Sequence, residues 1–251
     1  HQLKSILDYS VEGKHDEASM QATLEETLRS IRHAAANPDI PFAVFKPTAF
    51  APASLLEQAV PGRLPSDIAG YQRFKESVDE LCKAAHALDV PLMIDAEDSW
   101  YQHLVDETVE EMMIKYNGSK AIVFNTLQMY RHDRLQYLGE LIQKARTHGF
   151  RAGIKFVRGA YMEKERERAL KMNYLSPIQP DKQATDGAFN NALMLSLRNI
   201  DVIDIFCGSH NEESNLLLAK AMDENGLAKN DRRIWFAQLY GMSDHISFNL
   251  A

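Results

Sequence analysis

Cysteine is nearly absent: Cys82 and Cys207 are the only two in 251 residues, and both lie in apolar surroundings. So sparse a pair excludes a disulfide framework and a thiolate zinc site, and reads as two small core residues of a reducing compartment. Apolar residues make up 45% of the chain but never form a run long enough to span a bilayer. No charged-then-apolar leader with a cleavage site opens the chain, so secretion is not predicted; a start at His1 fits a trimmed boundary. Cations are outnumbered, 28 Lys and Arg against 35 Asp and Glu, and the net charge of −7 argues against nucleic-acid binding by bulk charge. No strand-like run is followed by G-x-G-x-x-G, which removes the usual dinucleotide fingerprint. Solenoid repeats and low-complexity tracts are also missing.

What is present is a rhythm. Short β-rich runs occur at LKSILDYSV (3–11), FAVFKPTAF (42–50), PLMIDAE (91–97) and AIVFNTLQMY (121–130), then at AGIKFVRGAY (152–161), DVIDIFCGSH (201–210) and IWFAQLYGM (234–242). Helix-like stretches lie between them at 17–36, 68–89, 98–116, 132–148, 184–199 and 211–225. In 68–89, Tyr71, Phe74, Val78, Leu81, Ala85 and Leu88 recur at the spacing of one buried helix face. The same pattern runs through Leu135, Leu138, Leu141, Ile142 and Ala145, and Gly149 closes it. The segment 51–67, with three of the nine prolines, reads as a loop or insertion.

Strand–helix alternation predicts a parallel sheet covered by helices, either an open doubly wound sheet or a closed (β/α)8 barrel. The polar residues favour the barrel, because nearly every run ends in a reactive side chain: Lys46, Asp95, Gln128, Lys155 with Arg158, His210 and Gln238. An open sheet gathers its ligands at one switch point, whereas a barrel draws on many strand ends. The expectation is one TIM-like barrel domain over 1–251, distorted, with seven strands and the eighth strand and helix missing after ISFNLA.

Each strand end has a plain structural reading beside a functional one. Lys46 is a solvated lysine, or one that binds a carboxylate or forms a Schiff base. Asp98 or Ser99 would cap the helix after MIDAED, and Glu97 would suit that helix's positive end, but neither account covers Asp95, still on the strand. Asp95, Glu97 and His103 are possible metal ligands, but their spacing matches no metal motif and no metal is expected. Around His210, Ser209 or Asn211 would cap a helix whose N-terminus also suits a phosphate. In GIKFVRGAY, strand alternation puts Lys155, Val157, Gly159 and Tyr161 on one face, and Ile154, Phe156 and Arg158 on the other. Lys155 then faces a ligand, Gly159 lets a flat ligand approach the backbone, and Arg158 holds the frame.

These stretches together resemble the proline dehydrogenase family, most nearly its monofunctional mitochondrial-type members. KFVRGAYMEKE resembles the family's K/R-L-V-K/R-G-A-Y signature, PLMIDAEDSW its D-A-E-E/D element and FNTLQMY its Gln-x-Tyr strand end. GSHNEES, FAQLYGM and LDYSVEG are similar to three further elements, and all six fall in order between residue 6 and about 248. The resemblance implies a distorted (β/α)8 barrel that binds FAD and oxidises L-proline to Δ1-pyrroline-5-carboxylate, with hydride passing from C5 to flavin N5 and electrons to a membrane quinone. It implies peripheral association with the cytoplasmic face of a bacterial inner membrane or with the mitochondrial inner membrane. For the cofactor it implies Gln128, Lys155, Val157, Gly159, Ala160, Lys182, Thr185, Ser209, His210 and Asn211. Lys155 would stabilise the reduced flavin anion and Asp95 would belong to the catalytic polar network. Lys46 would take the proline carboxylate, with Tyr161 and Leu239 walling the ring.

One family feature has no counterpart. The R-R-x-x-E element of the family's last helix, which holds the substrate carboxylate, does not occur after residue 242, and Arg232-Arg233 precede the last strand-like run. That leaves three alternatives to proline oxidation: 4-hydroxyproline oxidation, a flavin-binding barrel fragment without turnover, and a lyase using Lys46 or Lys155 as a Schiff base.

Overall fold

The computed structural model describes residues 3–7, 16–60 and 62–251. Its strands are β1 (Ala43–Phe45), β2 (Leu92–Ile94), β3 (Val123–Gln128), β4 (Ala152–Val157), β5 (Ile203–Gly208) and β6 (Ile234–Ala237). The helices in chain order are α1 (Glu17–Ala36), α2 (Ala53–Gln58), α3 (Ile68–Ala87), α4 (Gln102–Tyr116) and α5 (Arg134–His148). They continue with α6 (Met162–Met172), α7 (Lys182–Leu197), α8 (Glu212–Glu224) and α9 (Asp244–Leu250). The strands pair in chain order, β1-β2-β3-β4-β5-β6. The registered pairs are parallel, each joined by a crossover that contains at least one helix.

Two compact units divide the chain, Lys4–Asn125 and Thr126–Ala251. In the first, the side chain of Asp16 accepts from Ser19 N at 2.9 Å and starts α1, and Asp67 does the same for α3 by accepting from Gly70 N at 2.8 Å. The predicted stripe of α3 is buried at Phe74, Val78, Leu81 and Ala85, with Cys82 beside it. Tyr71 is half-buried and Leu88 lies past the last helical residue, exposed, so the stripe is shorter than its sequence pattern. Asn117, at the end of α4, sets the entry to β3: its Oδ1 accepts from Ile122 N at 3.0 Å and Val123 N at 2.8 Å, and its Nδ2 donates to Val123 O at 2.8 Å.

In the second unit α5 buries Leu138, Leu141, Ile142 and Ala145 and ends at Gly149, whose φ of +71° and bond to Ala145 O form the expected left-handed stop. Ile154 and Phe156 of β4 are fully buried against the core, as is Phe189 of α7. Both cysteines are buried and unpaired, and burial pushes the Cys207 thiol up to about 12, against the charge of Arg158.

Two expectations change, and one helix appears that the sequence pattern did not mark. Among the described residues there are six strands: Leu3–Leu7 forms none, Ser5 N only bonds Asp39 O at 2.9 Å, and the rest of that first run, 8–11, lies outside the described residues. The proline-rich segment 51–67 holds the six-residue helix α2, which follows Pro52. The charged stretch after Tyr161 is α6, which buries only Glu165 and Ala169 and so shows no apolar stripe in sequence.

Candidate active site

In the first unit β1 and β2 pair with Phe45 opposite Ile94, so the two residues that follow, Lys46 and Asp95, leave adjacent strands side by side. Asp95 N donates to Phe45 O at 2.9 Å, and Lys46 Nζ stands 3.9 Å from Asp95 Oδ2, with each side chain 18% exposed. Two residues further along each strand end, Thr48 and Glu97 meet. Thr48 N donates to Glu97 Oε2 at 3.0 Å and Thr48 Oγ1 to Glu97 Oε1 at 2.6 Å. Burial raises the Glu97 carboxyl above its ordinary range, while these two bonds and the charge of Lys46 work the other way.

That pairing overturns the reading of Glu97 as a partner of the helix dipole: its carboxylate holds the turn after Lys46. The helix α4 is entered through Tyr101, whose side chain makes no cap bond, and not through Asp98 or Ser99. Asp98 instead accepts the Tyr101 hydroxyl at 3.2 Å. His103 has its Nε2 on the Ala59 carbonyl. No group of three His, Cys, Asp or Glu side chains that could hold a metal occurs among the described residues.

In the second unit β4, β5 and β6 are parallel, so their C-terminal ends share one edge. The alternation expected for β4 is present, with Ile154 and Phe156 in the core and Lys155 and Val157 half-buried on the other face. Beyond the strand, Met129 N bonds Val157 O and Tyr130 N bonds Arg158 O, both at 2.8 Å, which keeps the ends of β3 and β4 paired up to Gly159. Gly159 has φ +122°, and a Cβ there would lie 2.6 Å from the Tyr130 ring. The Cβ position beside this glycine is filled by the Tyr130 ring. Ala160 is exposed; Tyr161 is half-buried as the residue before α6, with Lys164 Nζ 5.7 Å from its ring centre. Gln128 is buried at the end of β3.

The end of β5 is held on every side. Ser209 N donates to Ala237 O at 3.0 Å, and Ser209 Oγ accepts from Asn211 N at 3.1 Å. Asn211 caps α8 by accepting from Ser214 N at 2.8 Å, the plain reading of that residue. The buried Asn215 donates to Ser209 O at 3.0 Å and Asn211 O at 2.8 Å, and Gln238 Nε2 donates to Ser209 O at 3.1 Å. His210 Nε2 lies 3.4 Å from Leu239 N, and its Nδ1 lies 3.3 Å from Ser243 Oγ. Leu239 itself is 67% exposed. Lys182 opens α7 and bonds Asp186; Thr185 Oγ1 donates to Asp181 O at 3.1 Å.

Sequence reasoning leaves Arg158 without partners, and the structure supplies them. Its Nε donates to Asp186 Oδ1 at 2.7 Å, its Nη1 to Ser209 Oγ at 2.8 Å and its Nη2 to Ser214 Oγ at 3.0 Å. Those partners lie 28, 51 and 56 residues away, so no local pattern could have signalled them.

The donor set of this edge fits a flavin. Lys155 and Lys182 supply positive charge, α8 offers a 13-residue helix N-terminus, and the backbone at Gly159–Ala160 is exposed. A Cβ at Gly208 would stand 3.2 Å from Phe156 O and from Val157 Cγ1, so β5 packs closely on β4 at that position. Cations and backbone N–H groups of this kind suit an acceptor-rich ring carrying phosphates.

Comparison with known proteins extends these observations. Residues 1–251 match the family model described as Proline dehydrogenase. The chain is 35% identical over 251 residues to the carbapenem antibiotics biosynthesis protein CarD of Pectobacterium carotovorum subsp. carotovorum, covering 99% of this chain and 64% of that protein. It is 36% identical over 181 residues to the mitochondrial proline dehydrogenase 1 of Homo sapiens, covering 71% and 30% respectively. For the mitochondrial proline dehydrogenase 1 of Arabidopsis thaliana the values are 30% over 292 residues, 99% and 58%. The chain thus spans from under a third to just under two thirds of the length of these relatives. A solved structure of proline utilization A with proline bound in remote sites shares the fold, with a TM-score of 0.82 at 18% identity, covering 99% of this chain and 25% of that one.

Proposed function

The chain belongs to the proline dehydrogenase family, and on that premise we propose that it carries flavin- and substrate-binding strand ends of an enzyme that oxidises L-proline to Δ1-pyrroline-5-carboxylate. The observation that carries the reading is the end of β4, where core residues alternate with Lys155 and Val157 before a glycine of φ +122°.

FAD, when bound, supplies the hydride acceptor. The chain's own residues bind, orient and balance charge. Lys155 places a cation at the ring, where developing negative charge is stabilised by a group already in position. Gln128 hydrogen-bonds the ring, and Val157, Gly159 and Ala160 present backbone to it. Ser209, His210 and Asn211 hold the cofactor, with the His210 ring placed between Leu239 N and Ser243 Oγ; Lys182 and Thr185 serve its nucleotide end. Lys46 receives the substrate carboxylate. Asp95, with Oδ2 3.9 Å from Lys46 Nζ, holds that ammonium at the strand end until the substrate arrives. Tyr161 and Leu239 contact the apolar ring of proline. The electrons leave for a membrane quinone, with the protein peripheral to a bacterial or mitochondrial inner membrane; no helix among the described residues is long and apolar enough to cross one.

The test is the visible spectrum of the purified protein under anaerobic conditions, before and after L-proline. A yellow protein bleached by L-proline, and not by 4-hydroxy-L-proline, is the expected result. Bleaching only by the hydroxylated substrate would move the assignment to hydroxyproline oxidation. A yellow protein bleached by neither would make it a flavin-binding fragment, and a colourless protein trapped by borohydride would make it a Schiff-base lyase.

A further inference from the structure

Arg158 stands just past β4, and its three guanidinium nitrogens reach three different elements: Asp186 on α7, Ser209 after β5 and Ser214 in the first turn of α8. The guanidinium carbon also lies 4.4 Å from the ring centre of Phe189 on α7, a stacked arrangement that lysine cannot reproduce. Its acceptors are committed in turn. Asp186 gives its other oxygen to Lys182. Ser214 Oγ accepts from Arg158 and donates to Asn190 Oδ1 at 2.7 Å. Ser209 Oγ accepts twice, from Arg158 Nη1 and from Asn211 N. A serine hydroxyl has two lone pairs and one proton. With both lone pairs occupied, Ser209 can act only as a donor.

We infer that Arg158 is the positioning residue of the cofactor site: it locks Ser209 as a hydrogen-bond donor and fixes the spacing between the Ser209–Asn211 strand end and the first turn of α7 that carries Lys182. This rests on the flavin reading above. Arg158 acts through Asp186 and Ser209, not by touching the reacting atoms. Its loss therefore weakens FAD binding without removing a ligand of the cofactor.

The experiment is a titration of apoprotein with FAD, followed by flavin fluorescence, for wild type, R158K, D186N and the double variant. R146K is the control, because Arg146 makes a more exposed ion pair with Asp201 in the same unit but away from these strand ends. R158K and D186N should each raise the FAD dissociation constant about tenfold or more, and the double variant should fall well short of the product of the two. R146K should leave it within about twofold of wild type. An R158K protein that binds FAD as wild type does, or loses affinity only in step with R146K, overturns the inference while the flavin reading stands. Wild-type protein that does not bind FAD overturns both. If R158K does not fold by circular dichroism, D186N alone decides, with unchanged affinity counting against the inference.

Discussion

At the scale of single residues, two positions are set by contacts that can be removed cleanly. Gly159 combines φ +122° with a Tyr130 ring where a side chain would begin. Gly159→Ala should lower stability by about 2 kcal/mol or more, read by urea unfolding, because both strain and overlap must be relieved. Glu97 takes both polar hydrogens of Thr48. Glu97→Ala should cost about 1–3 kcal/mol in the same measurement, and should raise KM for proline more than it lowers kcat, since Thr48 lies two residues past Lys46. The β4 alternation of Lys155 and Val157 against Ile154 and Phe156 was legible in sequence, because strand periodicity is local. The partners of Glu97 and Arg158 were not, because they are made by chain segments that meet only in the folded state.

At the scale of elements, the helices with one apolar face announced themselves, and α1, α3, α4, α5, α7 and α8 lie where the spacing put them within a few residues. The elements that escaped had no such face. The helix α6, MEKERERALKM, buries two residues out of 11, α2 is six residues long and α9 seven. Helices this short or this polar depend on what surrounds them rather than on their own pattern. Asn211 shows how one element end can serve two purposes, since it caps α8 and sits in the candidate cofactor segment. Asn211→Ala should cost about 1 kcal/mol in thermal unfolding of the apoprotein. Asn211→Asp, which preserves the cap, should recover that stability and still weaken FAD binding, because it brings negative charge toward phosphate.

At the scale of the whole molecule, the carboxylates set the response to acid. Partial burial raises Asp79, Asp133 and Asp186, but hydrogen bonds and charge from their lysine and arginine partners outweigh it and hold all three below the ordinary range. Arg146 lowers Asp201 and Arg233 lowers Asp231. An acid whose folded-state value is depressed contributes stability that is complete above its unfolded value, about 4, and that is lost as pH falls through the folded value. Glu97, raised by burial, acts in the opposite sense: its contribution is largest in acid and declines as pH rises through its folded value. Five against one, the balance predicts a urea midpoint that holds near neutrality and drops below about pH 4. D186N should shrink that drop. The strand order has a consequence for synthesis. Each strand pairs with the one made just before it. On the ribosome, every new strand emerges beside a template already laid down, after a delay of one or two α-helices. A nascent chain of this design carries its unpaired edge forward with the growing end, and that moving edge is where a chaperone would have to stand guard.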